Sequence, residues 1–405
     1  MTSVTGGPEV AAADGSAPAT PAAPARTLQR FSPAPEALVF RGADEGFELI
    51  AVPDVTLREG ELLVRVELAT VCGSDRHTVS GARIEQTPLV LGHEQVGRIA
   101  AVGPGIPPRT VDDRPLAIGD RVVWGVVVPC RDCRLCRRGL PNKCRNLRKY
   151  GHSRMTRGWE LSGGFATHVH VVAGTDVVRV PDDLPAEMLA PASCATATVV
   201  AAIDAAARPV NGEIVVVSGC GMLGLTAVAM AREAGATVVG IDPDPQRRER
   251  AIRFGAATVA EPGDSALRAA IRRAAVHREA KAGREVGPGR EDDPEGFAVG
   301  LELSGASTAI DSLIATADIG AVIVLAGSVF PAPPVPVLAE EVVRRILTLT
   351  GVHNYRGEHL VRAVAFLRRA DRTLFASLVA DAVALPELPQ ALTAPANGTR
   401  LGIRS

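Results

Sequence analysis

The feature that most constrains this chain is a dense apolar run, Glu213-Ile-Val-Val-Val217, that ends at Ser218-Gly219-Cys220-Gly221-Met222-Leu223-Gly224 and passes into an alanine-rich stretch reaching Ala234. A short apolar run bounded by glycines reads as a strand buried on both faces, and the run after it as a helix. A second apolar run, Thr237 to Ile241, closes at Asp242. G-x-G-x-x-G alone is common, but after a buried strand, opening a helix and about twenty residues before an acid, it is a dinucleotide-binding fingerprint. Gly219, Gly221, Met222, Leu223 and Gly224 are therefore candidate cofactor contacts, because glycine lets the backbone approach a pyrophosphate and a helix N-terminus offers it amide donors. Asp242 stands where a carboxylate accepts from ribose hydroxyls and repels a 2′-phosphate, which favours NAD over NADP. The other reading of Asp242 is a helix cap before Pro243, and Arg247 and Arg248 nearby would suit a phosphate.

The alternation continues with helix 245–254, strand 258–259, helix 265–277, strand 297–303, helix 307–317, strand 321–325 and helix 340–347. This is the pattern of an α/β fold with a Rossmann doubly wound parallel sheet. Residues 282–296, charged and rich in Gly and Pro, read as a surface insertion. Upstream the texture differs. Glu61 to Leu68 alternates Leu62, Val64, Val66 and Leu68 with mostly polar neighbours, and short β-type runs between Val96 and Val128 are broken by Gly103-Pro104-Gly105, Pro107-Pro108 and Gly119-Asp120. Small strands with many turns indicate a compact β-rich domain. Residues 185–207 read as largely helical, and beyond Gly351 the chain is expected to rejoin the first domain through a helix over 358–369. The expected division is a disordered leader over 1–27, a catalytic domain over 28–190 and 352–405, and a cofactor domain over 191–351.

A length of 405 residues exceeds what one core usually holds, in keeping with two domains. No run of about eighteen uncharged apolar residues is present, so no membrane span is expected. A net charge of −1 gives no reason to expect nucleic acid as a partner. The N-terminus lacks a basic segment followed by an apolar one, which points to the cytoplasm. There, seven cysteines serve more readily as metal ligands than as disulfides. Four of them, Cys130, Cys133, Cys136 and Cys144, form C-x2-C-x2-C-x7-C in a polar, arginine-rich lobe over 129–145. A four-thiolate set closes a tetrahedron and leaves no position for substrate, so the site is structural. An iron–sulfur cluster uses the same residue type.

A second constellation lies in Val71-Cys72-Gly73-Ser74-Asp75-Arg76-His77 and Gly92-His93-Glu94-Gln95-Val96-Gly97. A thiolate, an imidazole and a carboxylate there are able to share one zinc ion, with a hydroxyl and a second histidine placed to move protons. In this order, with the cysteine knuckle and the glycine turn, the chain resembles the zinc-dependent alcohol dehydrogenases of the medium-chain dehydrogenase/reductase superfamily. The resemblance covers nearly everything from residue 36 onward. It implies that the β-rich domain is a chaperonin-ten-like (GroES-like) catalytic domain. It also implies that the cysteine lobe holds a structural zinc and that each subunit carries two zinc ions and NAD. By the same resemblance Cys72, His93 and Cys194, the last in Pro191-Ala-Ser-Cys194-Ala-Thr, match the catalytic zinc ligands. Glu94 matches an acid able to exchange with water as a ligand, and Asp75 a carboxylate orienting a ligand. Ser74 and His77 match a relay that carries the alcohol proton to solvent while hydride passes to the nicotinamide.

The chain is similar above all to the branch termed phosphonate-catabolism-associated alcohol dehydrogenase, through Val123-Trp124, Leu147-Arg-Lys-Tyr-Gly151-His152, Trp159-Glu-Leu-Ser-Gly-Gly164-Phe165 and Ser193-Cys-Ala-Thr-Ala-Thr198. The expected reaction is oxidation of an alcohol, such as a hydroxyalkylphosphonate or another polar alcohol, to an aldehyde or ketone. Two alternatives stand beside it: an NAD-retaining enzyme giving net isomerisation or elimination, and a polyol or aminocyclitol dehydrogenase. An anionic substrate would call on Arg148, Lys149 and His152, which read equally as solvated surface groups. His168 and His170, two apart on one strand face, read as a packed pair more readily than as ligands. The resemblance implies a small-molecule substrate and a homodimer or homotetramer.

Overall fold

The computed structural model describes residues 26–281, 283, 296–393 and 400–404. Most of the insertion expected at 282–296 and most of the leader fall outside the described residues. Arg26 and Thr27, expected in the leader, instead open a strand, Arg26–Arg30, that pairs antiparallel with Asp54–Arg58.

The buried strand at Ile214–Ser218 is the centre of a six-stranded parallel sheet. Its neighbours on one side are Thr237–Ile241 and then Thr258–Ala260, and on the other Phe297–Glu302, Ala317–Leu325 and Thr348–Gly351. Ile214 and Val216 point into one core with Leu267 and Ile271 of the helix Asp264–Lys281. Val215 and Val217 point into another with Leu225 and Val228 of the helix Met222–Glu233. Both faces are covered, which is why the strand carries no polar alternation. Strand order reverses between Ile214–Ser218 and Phe297–Glu302, and such a switch point opens a crevice at the strands' carboxyl ends. The helix expected over 340–347 is Ala339–Arg344. It stops because Ile346 takes the left-handed region at φ 52° and leads into the last strand.

The β-rich part is built on a seven-stranded sheet whose centre is Leu62–Thr70, paired antiparallel with Glu94–Val102, Arg400–Arg404 and His168–Val171. The C-terminal strand thus returns to the first half of the molecule. The fold is the expected α/β combination of a GroES-like β-domain and a Rossmann sheet. Among the described residues no single helix is long and apolar enough to cross a membrane; the bent pair Ala186–Ser193 and Ala195–Ala205 passes on length and composition and is largely buried in the core.

Candidate active site and cofactor cleft

Three strand ends meet at one place. Cys72 follows Leu62–Thr70, His93 precedes Glu94–Val102, and Arg400 opens the C-terminal strand. Register sets Thr70 opposite both Glu94 and Gly402, so the ends are drawn together by the ladder itself. Cys194 arrives from a break between the 3-10 turn Ala190–Ser193 and the helix Ala195–Ala205. That segment is tied down by Ser193 Oγ donating to the His93 carbonyl at 3.0 Å and by the Tyr355 hydroxyl donating to the Ser193 carbonyl.

The result is a group in which Cys72, His93, Glu94 and Cys194 each place one ligand atom within 4.8 Å of every other. The two sulfurs are 4.0 Å apart, close to the edge of about 3.8 Å for a tetrahedron of zinc–sulfur bonds near 2.3 Å. Asp75 organises the approach: one carboxylate oxygen accepts the Cys72 amide at 2.8 Å, and the other faces Nδ1 of His93 at 3.4 Å. Nδ1 of His93 makes no aligned hydrogen bond. The Asp75 carboxylate is fully buried and is the group that keeps this ring nitrogen oriented.

Electrostatics favour a cation here. The hydrogen bond with Cys194 holds the Cys72 thiol well below its ordinary value against burial, and Arg400 adds to the effect. The same bond, with burial, pushes Cys194 well up. Burial would lower His93, but Asp75 and then Cys72 outweigh it and raise the imidazole well above its usual range. Burial lifts the Glu94 carboxyl to about 7, opposed by Arg400. Two half-buried thiols with a buried imidazole and a buried carboxylate around one point fit a divalent ion of zinc's chemistry.

Arg400 was not foreseen. Its guanidinium donates to both carboxylate oxygens of Glu94 at 2.9 Å and lies 3.4 Å from the Cys72 sulfur. A lone arginine in Gly398-Thr-Arg400-Leu carries no local signal that could have found it. Thr70, whose hydroxyl donates to Glu94 at 2.7 Å, was missed for the same reason.

Ser74 and His77 lie three apart on the helix Gly73–Val79, hence on one face. His77 is exposed and rests against Phe330, 4.6 Å between ring centres, from the loop after Ala317–Leu325.

The cysteine lobe assembles as expected. Its sulfurs stand 3.5 Å (Cys133–Cys136), 3.9 Å (Cys133–Cys144) and 3.4 Å (Cys130–Cys144) apart, too long for disulfides and bracketing the tetrahedral edge of about 3.8 Å. Backbone amides of Cys130 and Asn146 donate to the Cys144 sulfur at 3.3 Å. An amide donated from Arg145 heads the influences that bring Cys133 down to about 6, while burial first among several pushes Cys136 up to about 12. A four-thiolate ion fits this set.

Beside the first group lies a cavity of about 290 Å³ lined by Gly73, Arg76, Gly221, Met222, Arg247 and Arg400, among others. Its glycines divide their tasks. Gly219 takes φ +92° against Ser304, and a Cβ on Gly224 would stand 1.8 Å from the Gly219 carbonyl, whereas a Cβ on Gly221 would meet open space. Asp242 accepts the Cys220 amide at 2.8 Å and the Asp244 amide at 2.9 Å, and is 2% exposed. In this structure it braces the turn, with Arg247 3.8 Å away. Glu302, also buried, braces the facing loop through Ser304, Gly305 and Ser328.

The histidine pair at 168 and 170 is not a ligand set. His170 bonds Glu61 at 3.0 Å and His168 bonds Thr167 at 3.0 Å. Arg148 places its guanidinium over the Trp159 ring, 5.7 Å from the centroid.

Comparison with known proteins agrees with this geometry. Residues 58–182 match the alcohol dehydrogenase GroES-like domain and residues 223–369 the zinc-binding dehydrogenase family. The chain is 33% identical over 325 residues to the L-threonine 3-dehydrogenase of Streptomyces coelicolor, covering 78% of this chain and 84% of that one. The enzyme of the same name from Anaeromyxobacter dehalogenans is 32% identical over 329 residues, covering 78% and 83%. An alcohol dehydrogenase from Thermotoga maritima superposes with a TM-score of 0.80 at 27% identity, over 91% of this chain and 99% of that one. A zinc-binding dehydrogenase from Sinorhizobium meliloti, solved with NADP, shares the fold at a TM-score of 0.73 and 24% identity, over 92% and 99%. By domain matches, identity and site geometry together, this chain belongs to the zinc-binding dehydrogenases of the medium-chain dehydrogenase/reductase superfamily, which oxidise alcohols with NAD(P).

Proposed function

We propose that the chain is an NAD-dependent zinc dehydrogenase of a polar alcohol, with two zinc ions per subunit. The observation that carries this is the convergence of Cys72, His93, Glu94 and Cys194 within 4.8 Å, next to a cavity lined by the glycine turn. Cys72, His93 and Cys194 would hold the catalytic ion, with Glu94, bonded to Arg400, beside them, and Cys130, Cys133, Cys136 and Cys144 would hold the structural ion. When bound, zinc polarises the alcohol oxygen so that its proton leaves near neutral pH, and the nicotinamide accepts the hydride. The chain's own residues do the rest. Ser74 takes the hydroxyl proton, and His77, one helical turn on and open to solvent, carries it away. Asp75 keeps the His93 ring turned towards the sulfurs, Glu94 and Arg400 balance the local charge, and Gly221 leaves room for a pyrophosphate.

Asp242 supports NAD over NADP, provided its carboxylate turns from the Cys220 amide to the ribose. The catalytic part is assigned to 28–190 and 352–405 and the cofactor part to 191–351, in the reducing cytoplasm. A hydroxyalkylphosphonate and a β-hydroxy amino acid such as threonine are both polar alcohols within this class. The last strand, Thr348–Gly351, ends the parallel sheet, and Ile319, Val343 and Ile346 nearby are 70%, 75% and 70% exposed, so a second copy of the chain is the expected cover.

Purified protein is expected to contain two zinc ions per chain and to reduce NAD in proportion to alcohol consumed, and Cys194→Ala to retain one zinc and lose turnover. One zinc per chain in active enzyme, or faster turnover with NADP, would refute the corresponding assignment. Light scattering showing only monomer would remove the proposed interface.

A further inference from the structure

A chain of contacts runs from the cysteine lobe to the segment that carries Cys194. The lobe rises from a short ladder in which Val127–Val128 pairs antiparallel with Arg148–Lys149. Two of its side chains reach the turn by which the chain leaves the parallel sheet: Asn142 donates to the His353 carbonyl at 2.9 Å, and the Lys143 ammonium bonds Nδ1 of His353. Burial, then the charge of Lys143, holds this imidazole down at about 4, so the ring is neutral and able to accept. Asn354 then takes the left-handed region at φ 58°, which asparagine tolerates. The reversal leaves His353 exposed on the lobe and turns Tyr355 inward, where it is 5% exposed.

The Tyr355 hydroxyl is used twice. It accepts the Val126 amide at 3.4 Å, at the root of the lobe, and it donates to the Ser193 carbonyl. That carbonyl belongs to the peptide that enters Cys194, a residue held off helical values at φ −120°, ψ −73°. Ser193 is fully buried, so removing the hydroxyl strands its carbonyl and frees the peptide plane to turn. Such a turn would swing the Cys194 sulfur from its place 4.0 Å from that of Cys72. Cys72 and His93 are placed by adjoining strand ends, whereas Cys194 comes from a segment outside that ladder and depends on side-chain ties. Ser193 Oγ ties it to His93, and Tyr355 ties it to the lobe.

We propose that Tyr355 is a positioning residue whose hydroxyl fixes the peptide that aims the Cys194 sulfur, and that the cysteine lobe holds Tyr355 in place through Asn142, Lys143 and Val126. This deepens the function proposed above and rests on its assignment of Cys194 as a zinc ligand. The lobe then does more than close on its own ion, because it anchors the third ligand of the other centre.

The test uses protein verified to hold two zinc ions, titrated with a graded chelator; the ion missing from Cys194→Ala marks the catalytic one. Tyr355→Phe keeps the ring and loses the hydroxyl, and should weaken the protein's hold on that ion alone by about three- to tenfold, the worth of one hydrogen bond. Asn142→Ala should weaken it by about two- to threefold, since its contact with His353 is exposed. In the double variant Asn142→Ala should add nothing, because it acts through the missing hydroxyl. Unchanged affinity in Tyr355→Phe, parallel loosening of both ions, or additive losses in the double variant would overturn the proposal while leaving the two-zinc assignment intact. Cys194→Ala that keeps both ions would sink the ligand assignment and the proposal with it.

Discussion

Replacing Arg400 by methionine isolates the contact that joins the C-terminal strand to the candidate metal group. Arg400 gives Glu94 two bonds of 2.9 Å, and the pair is 14% and 0% exposed. Two unit charges about 4 Å apart at an effective dielectric near 20 attract by about 4 kcal/mol, and removing one partner of a buried pair usually costs 3–5 kcal/mol because the other is left uncompensated. Thr70 still donates to Glu94, so about 3 kcal/mol is the expected loss, or roughly 6–12 °C in melting temperature for a domain of this size. Thermal melting of zinc-verified protein measures it. Arg400 also lines the cofactor cavity, so the same variant should raise the Michaelis constant for NAD. The decisive comparison is the double variant with Glu94→Gln. If the cost of R400M comes from a stranded carboxylate, removing that charge must restore much of it, so the two changes should be strongly non-additive. Additive losses, or R400M melting within about 2 °C of wild type, would refute the reasoning.

Other outcomes follow from single positions. Gly221→Ala should keep its melting temperature yet weaken NAD binding, because its Cβ meets open space where a pyrophosphate would lie. Gly224→Ala should fail to fold stably, because its Cβ would stand 1.8 Å from a carbonyl, and calorimetry on the two variants checks the contrast. Cys133→Ser should lose one zinc and chiefly stability, seen as a lower melting temperature with residual turnover. Burial, then the charge of Arg65, holds His168 down at about 4. The unfolded chain therefore takes up a proton first as pH falls, and stability due to this residue is present above about 6.5 and lost towards 4, by up to about 2 kcal/mol after allowing for solvent. His168→Phe should flatten urea-denaturation stability across that window, and an unchanged pH slope would show that His168 is not its source.

What the sequence determined by itself is whatever depends on a few consecutive residues. The glycine turn was legible because backbone sterics at Gly219 and Gly224 admit no other residue, and the strand before it because a strand covered on both faces needs continuous apolar side chains. The four cysteines were legible because a metal knuckle is closed within fifteen residues, and Cys72, His93 and Cys194 through the resemblance they carry. Tertiary structure alone decided the partners of these groups. Arg400 reaches Glu94 across 306 residues of sequence, and nothing in a period-two strand states which strand end it will adjoin. Pro191 in the preceding turn already bars a continuous helix, and the break at Cys194 is held in place by the Tyr355 and Ser193 contacts, which come from distant parts of the chain. Charge was the least legible property. Arg148 and Lys149 are neighbours of the same type, yet strand pleating sends one over Trp159 and the other beside Arg83 and Glu85, because successive side chains face opposite ways.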